Sequence, residues 1–178
     1  TVTPTAPGFH YYGFIVDGLH VNDPGSESFF GYGRHCSGIE IPEAPEVAAY
    51  YSPQEVPHGE VRARWYLSSV TGEWRRAFIY TPPGYDEDTV ARYPVLYLQH
   101  GGGEDARGWP TQGHMSQIMD NLLAASQISP MLVVMDSGQV LPRAPMTLPS
   151  REGQLANARA FGRVVIEDLI PLVDATYR

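Results

Sequence analysis

A single cysteine, Cys36, stands in the 178 residues, so no intrachain disulfide can form. The sequence has no basic run either: 12 Lys+Arg face 20 Asp+Glu, a formal net charge of −8. Nucleic-acid affinity depends on clustered Lys and Arg, so this balance excludes a phosphate-binding surface. The longest apolar stretches, residues 95–98 and 131–135, fall far short of the roughly 20 residues that a membrane-crossing helix needs. Neither nucleic acid nor a membrane is therefore an expected partner. No basic-then-apolar leader opens the sequence, and these features leave the compartment open. What is abundant is glycine and proline, 18 and 16, in a chain that is 43% hydrophobic and 18% charged. That combination means short elements and many turns, with too much apolar side chain for disorder.

Residues 9–21, FHYYGFIVDGLHV, hold two aromatic and β-branched runs separated by Asp17-Gly18. That dipeptide tolerates positive φ in a tight turn, and the pattern predicts a β-hairpin. A Gly-rich stretch, 26–38, leads into IEIPEAPEV at 39–47, where Pro42 and Pro45 hold the backbone extended. This reads as a linker. No helical period appears before about residue 110.

Beyond His58 the pattern changes. VRARWYLS (61–68) and EWRRAFIYTP (73–82) predict an antiparallel pair with a short turn. Residues 95–98 are a continuous apolar run, as in a strand covered on both faces, and 131–135 repeat that signal. Between them, residues 111–125 put Met115, Ile118, Met119, Leu122 and Leu123 on one helical face. After a Pro-rich loop at 141–149, Ser150 is placed to cap a helix whose buried stripe is Phe161, Val164, Val165, Leu169 and Leu172. Pro171 should kink that helix, because its ring opposes the Glu167 carbonyl. Strand, helix, strand, helix with buried-type strands argues for α/β architecture: a parallel sheet with helices on both sides.

The chemistry is concentrated just after the first of these strands, in Gln99-His100-Gly101-Gly102-Gly103-Glu104. Glycines there let the chain turn with its amides uncovered at the carboxyl end of a strand, where open α/β sheets bind ligands. Acyl transfer needs such donors, because charge develops on the ester oxygen as a nucleophile attacks. In hydrolases one donor comes from an HGGG-type loop after the third strand and the other from the residue following the nucleophile. The alternative is a glycine loop that only turns the chain. Gly102 and Gly103 are the candidate oxyanion donors, with His100, Gly101 and Glu104 as loop support.

YPVLYLQHGGGEDARGW, QGHMSQIMDNLLAASQISPMLVVMDSG and VIEDLIPLVDATYR, in that order, resemble the esterases of carbohydrate esterase family one. That family includes feruloyl esterases, acetyl xylan esterases and relatives of the enterochelin esterases. The upstream YYGFIVDGLHVNDPGSESFFGYG resembles the end of the immunoglobulin-like, glycogen-binding-type module that precedes many of them. The resemblance implies the N-terminal half of an α/β-hydrolase domain (residues 60–178), preceded by a linker (39–59) and the tail of a small β-sandwich module (1–38). It also implies a Ser in a G-x-S-x-G elbow with an acid and a His after it. No serine here sits in that frame, Ser37 and Ser137 included. The nucleophile and its partners are therefore expected beyond Arg178, on the remainder of the same domain. The family's strand order sets residues 95–99 between 131–135 and the nucleophile strand, so without that neighbour the strand is an open edge.

His100 is read as bracing the loop, since the base of such a hydrolase follows its Ser in sequence. Asp136 and Ser137 end the second buried strand and are candidates to line the cleft or to cap a loop. Trp109 is a candidate wall for a phenolic acyl group or a core anchor. Tyr11, Tyr12, Phe29, Phe30 and Tyr32 make either a sugar-stacking face or core. The remaining histidines lack ligand spacing, and neither metal nor organic cofactor is expected. The resemblance implies a serine carboxylic-ester hydrolase acting on feruloylated or acetylated xylan, secreted or periplasmic. A non-catalytic carbohydrate-binding relative and a siderophore esterase are the alternatives.

Overall fold

The computed structural model describes residues 6–141 and 150–178. Of the expected Pro-rich loop, all but Leu141 lies outside the described residues. The first third is β1 (Gly8–Tyr12), β2 (Phe14–Val16), β3 (Leu19–Val21), β4 (Ser28–Gly31) and β5 (Arg34–Ile41). β2 and β3 form the expected hairpin, with Asp17 at φ 51° and Gly18 at φ 81°. The aromatic run before it does not extend that hairpin. It breaks at Gly13, and β1 joins a separate antiparallel sheet of order β1-β5-β4. Tyr32 and Gly33, at φ 54° and 74°, make the tight turn between β4 and β5. β5 runs on through residue 38 because Ile39 and Ile41 pair with His10 and Gly8. The stretch read as a linker thus begins as strand. It also contains one helical turn, α1 (Pro45–Ala48), too short to leave an apolar period.

β6 (Glu60–Leu67) and β7 (Trp74–Thr81) are the expected antiparallel pair. After them come β8 (Val95–Tyr97), α2 (Met115–Ala124), β9 (Leu132–Met135) and α3 (Arg151–Arg163). The sheet has the order β6-β7-β9-β8, antiparallel except for the β8·β9 pair. Burial on both faces fits β9, whose four residues are at most 2% exposed. Each of those side chains contributes about 1.5–3 kcal/mol by leaving water. It does not fit β8, which occupies the sheet edge among the described residues and leaves Leu96 exposed.

Alternation along β9 sorts the core into two layers. Leu132 and Val134 pack with Ile79, Val164, Leu169 and Val173 on one face; Val133 meets Tyr80, Met115 and Met119 on the other. α2 therefore covers one side and the C-terminal helix the other, as the strand–helix–strand–helix pattern implied.

Ser150 caps α3, its hydroxyl accepting from the Gly153 amide at 3.1 Å. In the expected stripe Val164 and Leu169 are buried, while Val173 takes a central place the pattern did not give it. Just before Pro171 the helix passes through π-helical turns over Val164–Leu169 into α4 (Ile170–Thr176). Widening the helix there relieves the clash of the proline ring with the preceding carbonyls.

Candidate active site

The β8 ladder persists to Leu98, whose amide donates to the Val134 carbonyl at 2.9 Å. The chain then turns through residues 101–104, closed by the Glu104 amide donating to the Gly101 carbonyl at 3.2 Å. Gly103 has φ 85°, and a Cβ there would stand 3.1 Å from the Tyr32 Cα, so glycine is required on both counts. Gly102 faces open space, with nothing within 4 Å of an added Cβ.

Most polar groups of the turn are occupied. The Gly101 amide donates to Glu104 Oε2 at 3.1 Å, and the Gly103 carbonyl accepts from the Gly33 amide at 2.7 Å. Glu104 Oε1 accepts from the Tyr11 hydroxyl at 2.8 Å. Among the described residues, the Gly102 and Gly103 amides alone in the triple glycine donate to no protein acceptor. They emerge at the carboxyl end of a parallel strand, where α/β sheets bind ligands.

His100 ties this turn to the end of β9. The Gly138 amide donates to its Nε2 at 2.9 Å, so Nε2 is the unprotonated nitrogen, and Nδ1–H donates to the Gly101 carbonyl at 2.8 Å. Both ring nitrogens are thereby committed within the protein, which removes His100 as a free base. Asn157 on α3 holds the other side of the β9 loop, donating to the Gly138 carbonyl at 2.7 Å and accepting from the amides of Val140 and Leu141.

At the end of β9 the geometry fits the loop-capping alternative for Asp136: it is 3% exposed, and its carboxylate accepts from Tyr66 Oη, Arg75 and the Ser137 amide. Burial and that carboxylate push the Tyr66 phenol well above its ordinary range. Burial alone would lower Arg75, but the charge of Asp136 and the bonds to Tyr66 and Asp136 together outweigh it and raise the guanidinium. Ser137 is half-buried, with its hydroxyl accepting from the Gln139 amide at 3.3 Å. Trp109 donates its indole N–H to the Gln99 carbonyl at 2.9 Å and packs against the α2-side core layer, anchoring the segment below the glycine turn.

Gly33, Arg75 and Asn157 were not identified from the sequence, and Tyr11 was read there only as a sugar-stacking or core aromatic. Each acts on residues at least 16 positions away, and local patterning carries no such signal. Of the N-terminal aromatics, Phe9 packs edge-on against Phe29 and Tyr11, and Tyr11 against Tyr32, which itself stays exposed. Among the described residues, the one serine bonded to a histidine is Ser28, whose Oγ lies 3.2 Å from His35 Nδ1; no carboxylate is bonded to that ring, so it is not a triad. A cavity of about 410 Å³ between Pro57, Pro82, Asp120 and Pro130 lies at the start of β9, the end of the sheet opposite the glycine turn.

A family model described as "Putative esterase" matches residues 68–178. An endo-1,4-beta-xylanase/feruloyl esterase of Xylanibacter ruminicola is 40% identical over 182 residues, spanning 99% of this chain and 24% of its own length. Endo-1,4-beta-xylanase Y of Acetivibrio thermocellus is 24% identical over 92% of the chain and 13% of its own length. The chain thus spans about a quarter or less of these curated relatives. Among solved structures, a ferulic acid esterase from Anaeromyces mucronatus superposes with TM-score 0.62 at 24% identity, over 72% of this chain and 48% of that one. That likeness shows the fold: the chain includes part of an α/β-hydrolase domain. The model match covers well over half of the residues, from the β6–β7 turn through the glycine turn to Arg178, and the chain belongs to this esterase family.

Proposed function

We propose that this chain supplies the oxyanion-binding turn of a serine carboxylic-ester hydrolase that removes feruloyl, or acetyl, groups from plant cell-wall xylan. One observation carries the reading: in a turn where the Gly101 amide, the Gly101 and Gly103 carbonyls and the Glu104 carboxylate all have partners, the Gly102 and Gly103 amides donate to no protein acceptor and lie beyond the carboxyl end of β8. Such donors are aimed before the reaction begins, and each is worth about 3–4 kcal/mol of barrier. A Ser–His–Asp/Glu set on polypeptide following Arg178 would attack the ester carbonyl, release the sugar hydroxyl and pass the acyl group to water. That chemistry requires no metal or organic cofactor. His100, Gly101 and Glu104 brace the turn, and Trp109 fastens its base.

Feruloyl is favoured over acetyl by the relative whose name joins xylanase and feruloyl esterase, at 40% identity along nearly the whole chain. A polymeric substrate places the enzyme outside the cytoplasm, secreted or periplasmic. The free edge of β8 is where the rest of the domain would add its next strand. The test is an assay of the full-length protein on methyl ferulate and on acetylated xylan. Release of ferulate or acetate is expected, and turnover of neither removes this substrate class.

A further inference from the structure

The glycine turn is held from outside the hydrolase sheet. Gly33, in the β4–β5 turn, donates its amide to the Gly103 carbonyl at 2.7 Å. Tyr11, on β1 and 93 residues away in sequence, donates its hydroxyl to Glu104 Oε1 at 2.8 Å. Gln112 Nε2 donates to the Tyr11 oxygen at 2.6 Å, so the phenol accepts on one side and commits its own proton to Glu104. The other carboxylate oxygen of Glu104 receives the Gly101 amide. Burial, and then the Glu104 carboxylate, push the Tyr11 phenol far above its ordinary range, so it remains a donor at any working pH.

These bonds act on the free amides through peptide planarity. The Gly102 N–H shares a plane with the Gly101 carbonyl, which accepts from both the Glu104 amide and His100 Nδ1. The Gly103 carbonyl belongs to the plane after next, and Gly33 fixes it. The plane carrying the Gly103 N–H hangs between the two. Fixing its neighbours limits how far either amide can swing.

We propose that the N-terminal three-stranded sheet is a positioning element of the esterase site, with Tyr11 and Gly33 fixing the peptide planes that flank the Gly102 and Gly103 amides. The inference rests on the esterase reading only in that these amides receive the oxyanion. Tyr11 is a positioning residue: it touches no reacting atom and acts through Glu104.

The test uses Tyr11→Phe in the full-length protein, which keeps the ring contacts to Phe9 and Tyr32 and removes only the hydroxyl, the donor to Glu104 and the acceptor from Gln112. On methyl ferulate, kcat should fall about tenfold while KM moves less than about twofold, because misaimed donors weaken the transition state and leave ground-state binding intact. Independently of turnover, deuterium exchange in a peptide covering residues 99–108 should quicken about tenfold as its opening becomes easier. Peptides from β6 and β7 should not change. His20→Ala, on the exposed β2–β3 hairpin, should leave both readouts at wild-type values. Should Tyr11→Phe fold poorly, Gln112→Met releases the same oxygen from its other side and should shift both readouts in the same direction. Wild-type kcat with wild-type exchange overturns the proposal, as does a change confined to KM. A wild-type protein inactive on both esters removes the esterase reading by itself, and the exchange measurement then decides whether the sheet positions the turn.

Discussion

Arg75 and Asp136 form a buried ion pair at 3.0 Å, their side chains 10% and 1% exposed, and Tyr66 donates to the same carboxylate oxygen at 2.6 Å. Three elements are joined there, since Tyr66 and Arg75 are cross-strand partners on β6 and β7, and Asp136 directly follows β9. Removing one partner leaves the other charge buried and unpaired, which costs about 3–5 kcal/mol. Arg75→Met should therefore lower the urea midpoint of the full-length protein sharply. Asp136→Asn should do likewise, with KM for methyl ferulate unchanged in whatever fraction remains folded. A KM effect at wild-type stability would return Asp136 to the substrate cleft.

The elements with a strong local signal were legible before any coordinates. The Asp17-Gly18 hairpin, the β6–β7 pair, the apolar β9 and the Ser150 cap each follow from a few adjacent residues. The glycine turn was legible for the same reason, because HGGG after an apolar run is a local statement. What was not legible is the set of partners that give those residues their environment. Asp136 reads in sequence as a carboxylate at a strand end, and only the fold brings Arg75 and Tyr66 against it. Pro171 reads in sequence as a break in helical geometry, but the π-helical turns that precede it, with Val164 and Leu169 in the core, leave no local pattern.

The two central glycines should respond oppositely to substitution. Gly103→Ala puts a methyl group on a residue at φ 85°, 3.1 Å from the Tyr32 Cα, and should cost about 1–3 kcal/mol of stability. A Cβ added at Gly102 meets no atom within 4 Å, so Gly102→Val should leave the melting temperature nearly unchanged. Its side chain enters the space where the ester oxygen would sit, so turnover should fall about a hundredfold or more. Differential scanning calorimetry beside steady-state kinetics separates the two. Equal loss of stability in both variants contradicts the assignment of Gly102 to an open site.

Asp168 should contribute to an acid-labile stability term. It accepts from both hydroxyls of Ser68 and Ser69 and from the Ser69 amide at 3.0 Å, tying the π-helical turns to the β6–β7 turn. Burial alone would raise its pKa, but these donors outweigh burial and hold the carboxyl below its ordinary value. A depressed folded-state value means stability that is present above the unfolded pKa, about 3.9, and lost as pH falls through the folded one. Asp168→Asn should cost about 1–3 kcal/mol at pH 7, and its difference from wild type should shrink as pH drops below about 4. A difference constant from pH 7 to pH 3, read from urea titrations, would refute the role of the ionised form.

The free edge of β8 leads to the last prediction. β9 saturates one side of this strand through the Val95↔Leu132, Leu96↔Val133 and Tyr97↔Val134 register, while its other side has no strand neighbour among the described residues. Leu96 is 42% exposed in the middle of it. An apolar edge with open amides and carbonyls templates a further strand, and proteins that keep such edges blunt them with charge or proline. Only Pro94 stands at this edge, before the first paired residue, and it leaves the remaining backbone groups open. Produced alone, the 178-residue polypeptide should therefore self-associate with rising concentration, visible in sedimentation velocity at micromolar loading. Leu96→Lys should shift that onset upward severalfold by placing a charge that cannot be buried against a second copy. If, as proposed, a further strand joins this edge in the full-length protein, the same substitution there should be destabilising, because that strand would bury the position. A polypeptide that stays monomeric across this range, with Leu96 or with Lys at 96, would show that the β8 edge is protected by something other than a neighbouring strand.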